Sequence, residues 1–243
     1  MKFKTAAVMM LFASQAVFAG AEFDWGYADQ QAPAYWSSMN AQYQACSGLN
    51  QSPINIDQTV DAQLPPLKFN YAKSTQSIVN NARTVQVNFN EGNFLSLDNK
   101  QFELKQFHLH SPSENTIHGK SYPMEMHLVH ATAQGELTVV AIMFEEGAEN
   151  KKLTKLWKEL PQKAGEAISL KHHDIAATFL PEKLDYYRFN GSLTTPPCSE
   201  GVRWIVLKDV QQASAQQIKA FSHLLEHPNN RPIQAQNARL VLE

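Results

Sequence analysis

The chain has only two cysteines in 243 residues, and charged residues make up just 18% of it. It has no basic run, no internal repeat and no low-complexity stretch. With a formal net charge of −2 and no basic face to neutralise phosphates, nucleic acid is not an expected partner. Long apolar runs are missing too: the uncharged stretch over residues 5–18 is too short to span a bilayer. It follows Lys2 and Lys4 and precedes small residues around Ala19 and Ala21, the layout of a secretory signal peptide over residues 1–19, with cleavage after 21 as the variant. No cysteine follows either cut, so no lipid or other membrane anchor is expected, and the protein should be periplasmic or secreted. Residues 20–243 show no shift in composition and read as a single domain of roughly 220 residues, enough for one sizeable core.

In an oxidising compartment an even pair of cysteines is most simply one disulfide, here Cys46 to Cys198. Closing so long a loop stabilises by at most about 5 kcal/mol in the chain-entropy view.

Strand-like stretches dominate the middle of the chain: LKFNYA, TVQVNFN, NFLSL, QFELKQFHLH, MEMHLVHATA, ELTVVAIMFE and later WIVLKDV, with Asn90, Gly92, Asp98 and Gly135 as turn residues between them. Two segments read as helices. In ENKKLTKLWKELPQ, Leu153, Leu156, Trp157 and Leu160 fall on one face and Pro161 stops the run. In SAQQIKAFSHLLEH, Ser214 and Gln217 have capping-box spacing ahead of Ile218, Phe221 and Leu225. The expected class is α+β, predominantly β: one large, mostly antiparallel central sheet with peripheral helices.

Three histidines carry the chemical signal: His108 and His110 in QFHLH, then His127 in MEMHLVH. Side chains at i and i+2 of a strand share a face, so Gln106, His108 and His110 point one way, and Glu125, His127 and Val129 do the same on the next strand. Pairing the two strands brings three imidazoles to one point, the ligand set of a catalytic zinc that keeps a fourth position open. Gln106 and Glu125 are suited to accept the N–H that each imidazole turns away from a metal. His130 has the opposite parity and should face away. Further on, Thr194 and Thr195 lie in a proline-punctuated loop that leads into a buried strand. A threonine hydroxyl has one proton to donate. If Glu114 takes that proton, the threonine oxygen can only accept.

Taken in order, DWGY, QSPINI, IVNN, QFHLH, SEN, MEMHLVH, GSLTTPPC, VRWIVL and NNRP resemble an alpha-class carbonic anhydrase of bacterial, exported type, from Trp25 to Arg239. The resemblance implies zinc on His108, His110 and His127, and hydration of carbon dioxide to bicarbonate by hydroxide at the metal, oriented by Thr194 and Glu114. It implies Gln106, Glu125, Asn229 and Arg231 as groups behind the ligands, with Tyr27, Asn81 and Gln86 in a solvent network. Val129, Val139, Leu193, Thr195, Val202 and Trp204 would line the pocket for carbon dioxide, water and bicarbonate. The resemblance also implies the Cys46–Cys198 disulfide and cis peptide bonds before Pro53 and Pro197.

One position departs from the pattern. Arg83 stands where many members carry a histidine that shuttles the proton, and a guanidinium does not release its proton at usable pH. Another group, the external buffer or a slower turnover must then account for that step. The other histidines, His118, His172, His173, His223 and His227, read as surface or loop residues without an evident role. Two rival readings stay open on the residues alone. One is an iron or manganese cupin oxygenase that uses His108, His110 and Glu114. The other is a non-catalytic periplasmic protein that holds zinc or another ligand.

Overall fold

The computed structural model describes residues 25–71, 75–170, 175–225 and 227–243. The expected leader over residues 1–19, its cleavage site, His172 and His173 lie outside them. The N-terminal part is built of short turns: 3-10 turns at Asp29–Gln31, Pro33–Tyr35 and Ala41–Ser47 surround the one-turn helix α1, Trp36–Met39. Strands follow as β1 (Asn55–Ile56), β2 (Thr59–Val60), β3 (Lys68–Tyr71), β4 (Thr75–Asn80), β5 (Val85–Phe89) and β6 (Asn93–Leu97). Next come β7 (Lys100–His110), β8 (Thr116–Ile117), β9 (Met124–Ala131) and β10 (Leu137–Glu146). Helix α2 (Lys151–Trp157), β11 (Ala167–Ser169) and helix α3 (Ile175–Phe179) precede β12 (Tyr186–Ser192), β13 (Glu200–Leu207) and β14 (Gln211–Ala213). Helix α4 (Ala215–Leu225) and β15 (Val241–Leu242) complete the order.

One large sheet runs β11-β4-β5-β7-β9-β10-β13-β12-β15-β2, with β3, β6 and β14 paired off this path. The large central sheet with peripheral helices is as expected, but it is mixed rather than mostly antiparallel, and β1 and β8 form a separate two-stranded parallel sheet. Strand β10 pairs antiparallel with β9 and parallel with β13. A parallel neighbour needs a long crossover, and here the chain from 147 to 199 supplies it, carrying α2, α3 and β12.

Strand β10 shows why the centre reads as a nearly unbroken apolar run. Val140, Ile142 and Phe144 pack on one face with α2, α3 and α4, through Leu153, Leu156, Phe179, Phe221 and Leu225. Val139, Ala141 and Met143 pack on the other with Val202, Trp204 and Val206 of β13. A strand covered on both sides has no reason to alternate polar residues. No helix among the described residues is long and apolar enough to cross a membrane.

Both expected helices form. The α4 capping box closes reciprocally: Gln217 N–H donates to Ser214 Oγ at 3.2 Å and Ser214 N–H to Gln217 Oε1 at 3.0 Å. Helix α2 ends at Trp157, short of the expected Leu160, because the Glu159 N–H turns back to the Leu156 carbonyl at 3.0 Å and Leu160 precedes a proline. Strands β4, β11 and β12 were not legible from pattern. The peptide bonds before Pro53 and Pro197 are cis, as is that before Pro112. Cys46 and Cys198 form the disulfide, with Cα atoms 4.9 Å apart.

His130 faces away from the other three histidines, in the helix-covered core. The Tyr71 hydroxyl meets its Nε2 at 2.5 Å, and burial holds the imidazole down at about 4. In the unfolded chain the same ring takes a proton near 6.5. Below that pH unfolding therefore binds a proton that the native state refuses, so stability is full above 6.5 and falls as the pH drops towards 4. The loss from this group levels off at about 3 kcal/mol. Denaturant unfolding followed from pH 7 to 4 should show this slope, and His130→Gln, which keeps an acceptor for Tyr71, should flatten it; an identical slope in the variant contradicts the assignment.

Candidate metal centre

Strands β7 and β9 place the histidines by register. His108 pairs directly with His127, and His110 with Glu125. A bulge between Leu104 and Gln106 sets the parity. Before it, Phe102 and Leu104 point into the helix-covered core; after it, Phe107 and Leu109 do, which turns Gln106, His108 and His110 to the opposite face. The ligand nitrogens of His108, His110 and His127 all lie within 4.8 Å of one another.

Each ring is held from behind. His108 Nδ1–H donates to Gln106 Oε1 at 2.8 Å, and His110 Nδ1–H to the backbone carbonyl of Asn229 at 2.7 Å. His127 Nε2 lies 2.9 Å from Glu125 Oε1, in an approach off the N–H axis rather than an aligned hydrogen bond. That leaves Nε2 of His108 and His110 and Nδ1 of His127 to face a shared centre. Burial, and the neighbouring rings, push His108 well down; burial does most to lower His110 and His127 also. The rings are therefore neutral, the form that binds a metal.

The supports are themselves fixed. Glu125 accepts the backbone N–H groups of Glu114 and Asn115 at 2.7 and 2.8 Å and the Asn115 side chain at 2.7 Å. Asn229 accepts the Ser111 N–H at 2.7 Å and donates to the Leu109 carbonyl at 2.9 Å, so its own carbonyl is aimed at His110. Arg231 is buried: its guanidinium donates to Gln51, the Ser52 carbonyl and the Cys46 carbonyl, and desolvation lowers it to about 10, so it stays charged at neutral pH.

Glu114 accepts the Arg231 backbone N–H at 2.8 Å on Oε1. Its Oε2 makes no aligned hydrogen bond and lies 3.5 Å from His110 Nε2. Burial pushes this carboxyl well up, while the Arg231 N–H and the Thr194 hydroxyl pull it back. Thr194 is buried in the loop after β12. That loop is pinned on two sides. Ser192 and Ser52 exchange backbone-to-hydroxyl bonds at 2.9 and 3.1 Å, an approach so close that a Cβ on Gly191 would sit 2.1 Å from Ser52 Oγ. Cys198 ties the far end to Cys46.

The apolar residues converge as well. Val129, Val139, Leu193, Val202 and Trp204 belong to one cluster, and the Trp204 ring stands 4.9 Å from that of His127. Thr195 is half-buried beside them in sequence. Gln86 pairs with His108 across β5 and β7 and donates to Asn88 at 2.7 Å. Asn81 is exposed and closes a turn, accepting the N–H groups of Arg83 and Thr84 at 3.0 and 2.8 Å. Tyr27 packs edge-on to Trp25 and Trp36, and burial, then the Glu114 charge, raise its hydroxyl well above the usual range. Arg83 stacks its guanidinium 4.3 Å from the centre of the Trp25 ring and donates from Nε to the Trp25 carbonyl at 2.8 Å. Sequence reasoning missed Asn115, whose place in the SEN landmark was the available signal, and Gln51 and Ser52 within QSPINI.

The donor set fits zinc: three neutral imidazoles, with His110 Nε2 buried and without a hydrogen-bond partner among the described residues. The cupin reading is not favoured, because His127 completes the cluster and Glu114 spends Oε1 on a backbone N–H.

Comparison with known proteins agrees. Residues 31–243 match the family model described as eukaryotic-type carbonic anhydrase. A carbonic anhydrase of Pectobacterium atrosepticum is 46% identical over 243 residues, covering 100% of both chains. The alpha-carbonic anhydrase of Thermovibrio ammonificans, solved in complex with sulfanilamide, superposes with a TM-score of 0.89 at 42% identity, over 90% of this chain and 99% of that one. The alpha-carbonic anhydrase of Photobacterium profundum gives a TM-score of 0.85 at 46% identity, over 90% and 100%.

Replacing Gln106 by Ala leaves the His108 N–H without its acceptor, and zinc affinity should fall about 10-fold or more. Competition against a chelating dye measures this; unchanged affinity would contradict the role given to Gln106.

Proposed function

The chain belongs to the alpha, or eukaryotic-type, carbonic anhydrase family, and from that premise we propose that His108, His110 and His127 hold its zinc while Thr194 and Glu114 direct the reaction. The activity is the reversible hydration of carbon dioxide to bicarbonate and a proton. Zinc in such a site lowers the pKa of water to about 7 and so supplies a nucleophile at neutral pH, a property for which carbonic anhydrase is itself the reference case.

The protein's own residues supply the rest. Gln106 and the Asn229 carbonyl accept the Nδ1–H of His108 and His110 and so fix ring orientation and tautomer, while the Glu125 carboxylate 2.9 Å from His127 Nε2 favours the hydrogen on that nitrogen, so that each histidine presents a bare nitrogen to the metal. Burial alone favours a neutral Glu114, but a dication beside it supplies the opposite charge and favours the carboxylate. With Oε1 occupied by the Arg231 N–H, Oε2 is left to take the Thr194 proton. Thr194 Oγ1 then acts only as an acceptor, which selects and orients an attacking oxygen that still carries hydrogen. Val129, Val139, Leu193, Val202 and Trp204 give a small apolar substrate a dry wall next to that oxygen, with Thr195 at its edge and Tyr27, Asn81 and Gln86 along the solvent path.

The observation that carries this reading is the buried, unpartnered His110 Nε2 within reach of two other imidazole nitrogens. We further propose residues 20–243 as one catalytic domain exported to the periplasm or beyond, a reading that the disulfide supports.

Thr194→Ala should keep zinc and lower kcat/KM for hydration about 100-fold, while Thr194→Ser keeps most of the rate. Stopped-flow hydration with metal analysis of each preparation decides it: an alanine variant as fast as the parent would overturn the role of Thr194.

A further inference from the structure

Each carbon dioxide hydrated releases one proton, which starts in a buried site and must reach bulk water. A side chain that titrates near neutrality at the mouth of the site is the ordinary carrier, and histidine is that side chain. Arg83 does not qualify: its guanidinium keeps its proton and is committed to the Trp25 ring and carbonyl. Among the described histidines, His108, His110 and His127 are the ligand set, and His130 is closed inside the opposite core against Tyr71. His118 is exposed beside Asp57 at the β8 turn, and His223 is on α4, which packs on the helix-covered face.

His227 differs from all of these. Its ring lies 6.1 Å from that of Tyr27, tilted by 40°. Tyr27 in turn packs edge-on to Trp25 and Trp36, and over those rings lie the guanidinium groups of Arg83, 4.3 Å from the Trp25 ring centre, and Arg231, 5.6 Å from the Trp36 ring centre. The same chain segment reaches the metal centre two residues later, through the Asn229 carbonyl on His110, so the His227 and Asn229 Cα atoms are at most about 7 Å apart. The ring tautomer is legible too. His227 Nδ1 lies 3.0 Å from the Pro228 carbonyl, and a carbonyl oxygen can only accept, so Nδ1 carries the hydrogen. Nε2 therefore offers a bare lone pair.

We propose that His227 is the proton outlet of this enzyme: its Nε2 accepts, through water alongside Tyr27, the proton released on hydration and passes it to a base in bulk solvent. The inference rests on the hydration chemistry assigned above. An O–H bond of the hydrating water breaks, an N–H bond forms at Nε2, and that bond breaks in turn on transfer to buffer, which restores the neutral ring. No oxidant or co-substrate is needed. Among the described residues Tyr27 is the titratable side chain in ring contact with His227; it keeps its own proton and does not compete, while Arg83, Arg231 and Glu114 stand beyond it.

The test compares the parent with His227→Ala and, as a control, His223→Ala. In dilute buffer His227→Ala should lose about 10-fold in maximal hydration rate with kcat/KM unchanged, and added imidazole should restore the rate; His223→Ala should match the parent. In the metal-free protein, long-range proton–nitrogen NMR should find His227 in the Nδ1–H tautomer. A His227→Ala rate equal to the parent in dilute buffer, a parallel loss of kcat/KM, or an Nε2–H tautomer would overturn the relay alone. A zinc-loaded parent with no hydration activity would overturn the underlying chemistry instead.

Discussion

Three imidazole nitrogens have to be kept neutral, bare and aimed at one point in a protein interior, where buried polar atoms are ordinarily hydrogen-bonded. An unpartnered ring nitrogen in a core costs stability unless a ligand takes it, and here the cost is met by restraining the other nitrogen of each ring. Gln106 and the Asn229 carbonyl do this by accepting a hydrogen bond from His108 and His110, and Glu125 does it for His127 by placing a carboxylate oxygen 2.9 Å from Nε2. Because these acceptors decide which nitrogen faces inward, the rest of the site can be understood as what holds them. Glu125 is clamped by the Glu114 and Asn115 amides, and Asn229 is stitched to the end of β7.

The fold supplies the convergence through one irregularity and one strap. The bulge before Gln106 switches which residues of β7 enter the core, so that one strand serves the helix-covered core in both halves and the metal centre only in its second half. The strap is the pairing of the N-terminal part with the loop after β12. Arg231 donates to the Cys46 carbonyl, the Cys46–Cys198 disulfide closes the far end of the Thr194 loop, and Ser52 meets Ser192. Glu114, in the loop between β7 and β8, and Thr194, in the loop after β12, are thus brought together from segments remote in sequence, which a rigid backbone maintains at lower entropic cost than flexible side chains would.

Much of the site was legible in the sequence because its signals are local. Alternation in QFHLH and MEMHLVH fixes which side chains share a face, and it places Gln106, Glu125 and the outward His130 correctly. The bulge was not legible, since Lys105 has nothing in its chemistry that marks an extra residue. The His110 partner was only half legible: Asn229 was expected, but the acceptor is its backbone, and no side-chain pattern encodes a carbonyl. The parallel seam between β10 and β13 and the early end of α2 were missed for a related reason, as both depend on tertiary packing and turn geometry rather than on hydrophobic period. His227 looked like an ordinary surface residue because its contact with Tyr27 joins positions 200 residues apart.

X-ray absorption at the zinc edge of the loaded protein, compared with that of His127→Ala, tests the central claim most directly. Three imidazole nitrogens at about 2.0–2.1 Å and one light solvent atom are expected in the parent, with one imidazole fewer or no bound zinc in the variant. A six-coordinate spectrum, or a carboxylate oxygen contributed by Glu114, would contradict it.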